Sequence, residues 1–139
     1  SIGRGISMNI GIVVADFNGE ITSEMLGFAE NEASVLKLNV GKIFHVPGLY
    51  DVPLGVRRIL DDPEIKGVVV LGAVITGETG HDVLITEATA KTLQTISIKT
   101  NVPITLGVIG PGASREQVVA RKEKYARNAV KALQQMLSL

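Results

Sequence analysis

The sequence contains no cysteine and no tryptophan, and aromatic residues fill only 4% of its 139 positions. Without cysteine there is no disulfide scaffold, no thiolate metal site and no cysteine nucleophile. Charge of one sign is not in excess either. Fourteen lysines and arginines balance 14 aspartates and glutamates, for a formal net charge of +0. A neutral chain has no electrostatic reason to hold a polyanion, which argues against general nucleic-acid binding. Long apolar runs are also missing: Val68 to Ile75 falls far short of the ~20 residues a membrane span needs. The opening segment, Ser1 to Ser7, has one basic residue and no useful apolar run, so it does not read as a secretory signal. The expected compartment is the cytoplasm. Met8 is a candidate natural start, which makes residues 1–8 a leader or tag-like segment and residues 9–139 a single domain.

What the chain does have is aliphatic bulk. Hydrophobic residues make up 45% of it, and mean hydropathy is +0.29. The length suits one domain, which buries roughly two-thirds of its unfolded surface without staples. The aliphatic content is more than one small core needs to hide. An obligate oligomer accounts for such a surplus, because its interfaces resemble a domain core cut in half.

Four times a short aliphatic run precedes a segment of helical length. Asn9 to Ala15 is followed by Thr22 to Lys37, with Met25, Ala29, Ala33 and Leu36 at helical spacing. Lys42 to Val46 precedes a shorter helix from Pro53 to Leu60, which Pro63 prevents from continuing. Gly67 to Ile75 precedes Asp82 to Ser97, and Ile104 to Ile109 precedes Ser114 to about Leu137. Ser114 and Gln117 there match a capping box. Runs such as Val68-Val69-Val70-Leu71 are apolar on both sides, the mark of a strand covered on both faces. The expected fold is α/β: a flavodoxin-like, doubly wound α/β/α sandwich around a four-stranded parallel sheet.

Ligands of such sheets sit beyond the carboxyl ends of the strands. Four loops lie there: Asp16 to Gly19, Pro47 to Asp51, Thr76 to His81 and Gly110 to Ala113. The third places Gly77, Glu78, Thr79, Gly80 and His81 just ahead of a helix. Backbone amides at a glycine-bearing helix start form an anion site, and a threonine hydroxyl adds a donor. His81 brings a group that titrates near neutrality; the alternative is a tight turn whose histidine caps the helix. Phe17 is either a core residue or a stacking platform, and its place just past the strand favours exposure. Asp51 reads as a helix cap ahead of Pro53. His45, at a strand end, reads as structural. Arg121, Lys122, Lys124, Arg127 and Lys131 form a basic face on the last helix, solvated unless one of them reaches an anion. Nucleotide motifs do not fit. Gly3-Arg4-Gly5 precedes the first strand, Gly107 to Gly112 has no following Lys-Ser or Lys-Thr, and no Gly-x-Ser-x-Gly elbow exists. Two distant histidines do not make a metal cluster.

From about Asn9 to Leu137 the chain resembles the lumazine synthase family of riboflavin biosynthesis. The motifs that carry the resemblance are Asp16-Phe17-Asn18, Val46 to Pro53, Gly72 to His81, Pro103 to Val108 and the helix containing Arg121. Each is modest alone, and in this order and spacing they are specific. The resemblance implies condensation of 5-amino-6-(D-ribitylamino)uracil with 3,4-dihydroxy-2-butanone 4-phosphate. The product is 6,7-dimethyl-8-ribityllumazine, with release of phosphate and water and no cofactor. It implies that Phe17 stacks on the pyrimidine, that Asn18 and Leu49-Tyr50-Asp51 hold the ribityl chain, and that Val74-Ile75 main chain reads the ring edge. Glu78, Thr79 and Arg121 would bind phosphate, and His81 would transfer protons. The resemblance also implies a homopentamer or a multiple of it, with Leu106 and Arg121 supplied by the adjacent chain. Its partners are then small-molecule substrates and copies of itself, with no nucleic acid and no membrane.

The chain departs from the family pattern at several of these places. Leu106 stands where many members carry phenylalanine, Thr76 where many carry arginine, Glu78 where a small residue is common, and Tyr125 where lysine is frequent. A Glu78 side chain turned outward leaves the amides to serve the anion. Two rival readings share parts of this pattern: a pentameric riboflavin synthase of the archaeal type, and a flavodoxin-like module that holds flavin mononucleotide without catalysis. The first needs no phosphate site, against the Gly77 to His81 motif. The second needs a phosphate loop after the first strand, where Asp16 to Glu20 is acidic and poor in hydroxyls.

Overall fold

A computed structural model describes residues 8–77 and 80–139. Most of the expected leader therefore lies outside the described residues. Met8 itself packs against the core, and its carbonyl accepts a hydrogen bond from the Asn39 amide at 3.0 Å.

Strands and helices alternate as expected: β1 (Asn9–Ala15), α1 (Gly19–Val35), β2 (Asn39–Val46), α2 (Val52–Ile59), β3 (Val68–Ile75), α3 (Asp82–Thr100), β4 (Ile104–Ala113) and α4 (Arg115–Leu137). The sheet is parallel throughout, in the order β2-β1-β3-β4. In register, Val13 lies between Phe44 of β2 and Val70 of β3, and Val70 lies beside Leu106 of β4. The chain winds outward from β1 to β2, then crosses to β3 and β4 on the other side. The two directions part between β1 and β3.

Period-two alternation divides the core. Ile10, Ile12 and Val14 of β1, with Val69 and Leu71 of β3, face α1 and α4. Met25, Ala29 and Ala33 of α1 and Val130 and Leu133 of α4 complete that layer. Val13 and Ala15, with Val68 and Val70, face the opposite way, toward Val52, Val56 and Ile59 of α2 and Leu93 of α3. Each such aliphatic side chain stabilises the fold by roughly 1.5–3 kcal/mol when fully buried. The three-layer sandwich follows, since β1 and β3 have two apolar faces to cover.

The two layers differ in completeness. α3 spans 19 residues yet buries only Thr89 and Leu93, while Ile98 is 81% exposed. β2 is only partly covered as an edge strand. Among the described residues, no helix is long and apolar enough to cross a membrane.

Helix ends follow local chemistry. α1 starts three residues before the expected Thr22, because Asn18 adopts the left-handed conformation (φ 64) and its carbonyl accepts from the Ile21 and Thr22 amides. Short polar Asn tolerates that conformation better than most residues. α4 opens on the expected capping box: Ser114 Oγ accepts from the Gln117 amide at 3.2 Å, and Gln117 Oε1 from the Ser114 amide at 2.9 Å. β4 runs four residues beyond the expected Ile109, through Gly110 at φ +88. A Cβ at Gly110 would approach the Val74 carbonyl oxygen to 2.2 Å, so only glycine lets β4 continue against the end of β3.

The basic face of α4 is less solvated than its charge pattern suggests. Lys122 Nζ lies 2.9 Å from Glu24 of α1. Arg127 donates to Glu32 of α1 at 3.1 Å, to Asn31 at 2.9 Å and to Glu123 at 2.8 Å, and its guanidinium lies over Phe28. The hydrogen bond to Glu123, with a further one to Glu32, raises the Arg127 pKa above its ordinary value. Glu32 is buried, so this pairing is what lets a carboxylate sit at the α1–α4 contact.

Two stability predictions follow from this packing. Gly110→Ala combines positive-φ strain with overpacking and costs about 2–5 kcal/mol in urea unfolding; an unchanged midpoint contradicts the close approach. Arg127→Met strands the Glu32 carboxylate and lowers the thermal midpoint, whereas Glu32→Gln in the same background restores part of it. Failure of that second change to restore stability refutes the pairing.

Candidate active site

The switch between β1 and β3 is where a doubly wound sheet opens a crevice, and a cavity of about 180 Å³ lies there. Its floor is the end of the sheet: Ala15 of β1 and Gly72, Ala73 and Val74 of β3. A Cβ on Gly72 would meet Leu49 Cδ1 at 3.3 Å, so glycine at this position keeps the floor open.

Phe17 forms one wall and is 52% exposed. The loop that carries it is tied on both sides. The Asp16 amide donates to the Val46 carbonyl at 2.8 Å, extending the β1–β2 ladder past the strand end. Asn18 Nδ2 donates to the Ala73 carbonyl at 2.9 Å, reaching across to β3. The His45 ring nitrogen Nδ1 lies 2.8 Å from Asp16 Oδ1, so His45, read as structural, contacts this loop directly.

A second wall comes from the single 3-10 turn Leu49–Asp51, of which Leu49 and Tyr50 line the cavity. Tyr50 is 78% exposed. Thr89 Oγ1 of α3 donates to the Leu49 carbonyl at 3.2 Å and anchors the turn. Asp51 does not cap α2 as expected. Its Oδ2 instead accepts from the Gly48 amide at 3.1 Å, closing the 3-10 turn, and α2 has no side-chain cap bond from it. The short turn competes for the carboxylate and wins because Gly48 presents its amide three residues upstream.

The third wall was not foreseen. Asp82, Ile85 and Thr86 project from the first turns of α3, on one face at spacings of three and four residues. That spacing was readable once the helix was placed at Asp82. Thr86 Oγ1 donates to the Asp82 carbonyl at 2.7 Å. The cavity is therefore mostly apolar, with a phenol and a carboxylate at its margin, as suits a flat heterocycle carrying polar substituents.

His81 stands at the N-terminus of α3, adjacent to the cavity-lining Asp82, with its side chain exposed. It makes no side-chain cap bond to the helix, which sets aside the capping alternative; its carbonyl accepts from the Ile85 amide at 2.9 Å. Glu78 and Thr79, and with them the orientation of the Glu78 side chain, lie outside the described residues. Val74 lines the cavity, whereas the Ile75 side chain is buried in the opposite layer.

Leu106 and Arg121 are not brought to this cavity. Leu106 stands 45% exposed on edge strand β4, bordering shallow grooves against α3 and α4. Arg121 is exposed on α4. Among the described residues, no three His, Asp or Glu side chains are grouped so as to hold a metal ion.

The model of the 6,7-dimethyl-8-ribityllumazine synthase family matches residues 7–139. The chain is 46% identical over 129 residues to the 6,7-dimethyl-8-ribityllumazine synthase of Saccharolobus islandicus strain M.14.25, covering 93% of this chain and 84% of that protein. It is 47% identical over 126 residues to the Saccharolobus solfataricus protein of the same name, covering 91% and 82%. For the Staphylothermus marinus protein of that name the identity is 46% over 129 residues, covering 93% and 86%. A match of this extent, on a doubly wound sheet with its crevice in the expected place, means that the chain belongs to the 6,7-dimethyl-8-ribityllumazine synthase family.

Proposed function

We propose that the chain condenses 5-amino-6-(D-ribitylamino)uracil with 3,4-dihydroxy-2-butanone 4-phosphate to 6,7-dimethyl-8-ribityllumazine, with His81 moving the protons. One observation carries the reading. Phe17, Leu49, Tyr50 and Val74, all quoted from the family's motifs, converge on one cavity at the switch between β1 and β3. In a chain of this family that cavity suits the pyrimidine, stacked on Phe17 and edged by the main chain at Val74-Ile75. Asn18 and the Leu49-Tyr50-Asp51 turn are then beside the ribityl chain.

The reaction forms an imine between the ring's amino group and the ketone with loss of one water, expels phosphate, and closes the second ring with loss of a second water. Every step moves protons, and an imidazole both gives and takes them. Phosphate leaves as an anion. Amides at the glycine-bearing start of α3, together with Glu78-Thr79 main chain and Arg121, are the proposed partners of that charge. Holding two substrates together supplies a large share of the acceleration. His81→Ala accordingly slows turnover by about 10²-fold, at the low end of acid–base contributions, without abolishing it. Absorbance at the product's band, with both substrates saturating, reads this; an unchanged rate removes His81 from the mechanism.

The working unit is proposed to be a homopentamer or a multiple of it, in the cytoplasm. Two features support a shared site: Leu106 and Arg121 stand away from the cavity of their own chain, and Ile98, Val83 and Leu84 leave α3 with an uncovered apolar face. Analytical ultracentrifugation is expected to show a pentamer or its multiple, and Leu106→Asp to shift it toward smaller species with loss of activity. A fully active monomer refutes the shared site.

A further inference from the structure

We propose that His45 and Asp16 act as a positioning pair for Phe17, so that the aromatic platform of the cavity is held by a side-chain hydrogen bond on its far side. The inference rests on the reading that Phe17 stacks on the pyrimidine. Phe17 is half exposed, so core packing alone does not fix its direction. Its two neighbours in the chain do. Asn18 reaches one way, to the Ala73 carbonyl of β3 at 2.9 Å. Asp16 reaches the other way, to His45 of β2 at 2.8 Å, and its amide bonds Val46 at 2.8 Å. The platform thus hangs between two cross-strand ties.

That second tie faces a separate concavity of about 690 Å³ between β2 and α2. Besides Asp16 from the β1–α1 loop, the charged side chains around this concavity are Asp51 from the 3-10 turn, Arg58 from α2 and Asp61 just beyond that helix. A ring nitrogen within hydrogen-bond distance of the Asp16 carboxylate holds the loop from the side opposite the cavity. Both side chains are 51% exposed, which limits the tie to a few-fold in affinity. His45 and Asp16 do not line the cavity, so they act through Phe17 and not on the ligand.

The test is a double-mutant cycle read as equilibrium binding of 5-amino-6-(D-ribitylamino)uracil, with inorganic phosphate as the second ligand. His45→Ala is expected to weaken pyrimidine binding by up to about fivefold. His45→Gln, which keeps a donor, retains part of the affinity. Phosphate binding does not change. In a Phe17→Ala background, His45→Ala adds no further loss. An equal loss with and without Phe17, a loss shared by phosphate, a loss that His45→Gln does not recover in part, or no loss at all overturns the proposal. Wild-type turnover is measured alongside. Wild type that binds the pyrimidine but forms no lumazine refutes the proposed reaction and leaves the positioning role standing, whereas wild type that binds no pyrimidine refutes both.

Discussion

The pairing of β1 with β3 is the constraint on which everything else depends. These two strands are buried on both faces, and neither tolerates water on either side. Two helical layers must therefore cover them, and right-handed crossovers then send the chain outward in both directions from the central pair. The crevice is a by-product of that winding. Loops leaving β1 and β3 turn to opposite sides, so the ground between Ala15 and Gly72 is left for a ligand.

Completeness falls away from the central pair. The α1–α4 layer is closed by aliphatic packing and by ion pairs between the two helices. The other layer is open at the β4 edge, where α3 buries little of its length and Leu106 and Ile98 face outward. Val83, Leu84, Ile98 and Leu106 leave apolar surface on α3 and β4, while Val35, Leu54, Val119 and Met136 are exposed on the other helices. Leu106, a family-motif residue outside its own chain's cavity, belongs to the first group.

The parts legible in the sequence were those governed by local periodicity. All four strands and four helices were readable, because runs such as Val68 to Leu71 and the spacing of Met25, Ala29 and Ala33 leave little choice. The ends were harder. The start of α1 depended on a left-handed Asn18 that no periodicity marks, and β4 continued past Ile109 only because Gly110 fits against Val74. At the cavity, Phe17, Leu49 and Tyr50 were readable from their place after strand ends, whereas Val74, inside β3, came only from the family resemblance. Asp82, Ile85 and Thr86 were missed although the expected helix already began at Asp82, because local pattern does not show which face of that helix turns to the crevice. Asp51 was misassigned because two backbone amide sets competed for one carboxylate, and distance decided for Gly48. The His45–Asp16 contact joins residues 29 apart and depends on β1 and β2 lying side by side, which topology supplies and local pattern does not.

Net charge carried the least information, and the structure explains why. Cations and anions are equal in number, yet they are not spread evenly. Glu24 and Glu32 of α1 engage Lys122 and Arg127, converting a basic helix face into an internal contact between layers. Arg121, on the same helix, is exposed instead. The balance of zero is thus the sum of a spent set, which holds helices together, and an exposed set. An anionic substrate senses only the second. Its attraction to the protein is set by how few groups stand at the rim of the cavity and how their dipoles point, and a chain of zero net charge is then no obstacle to binding phosphate.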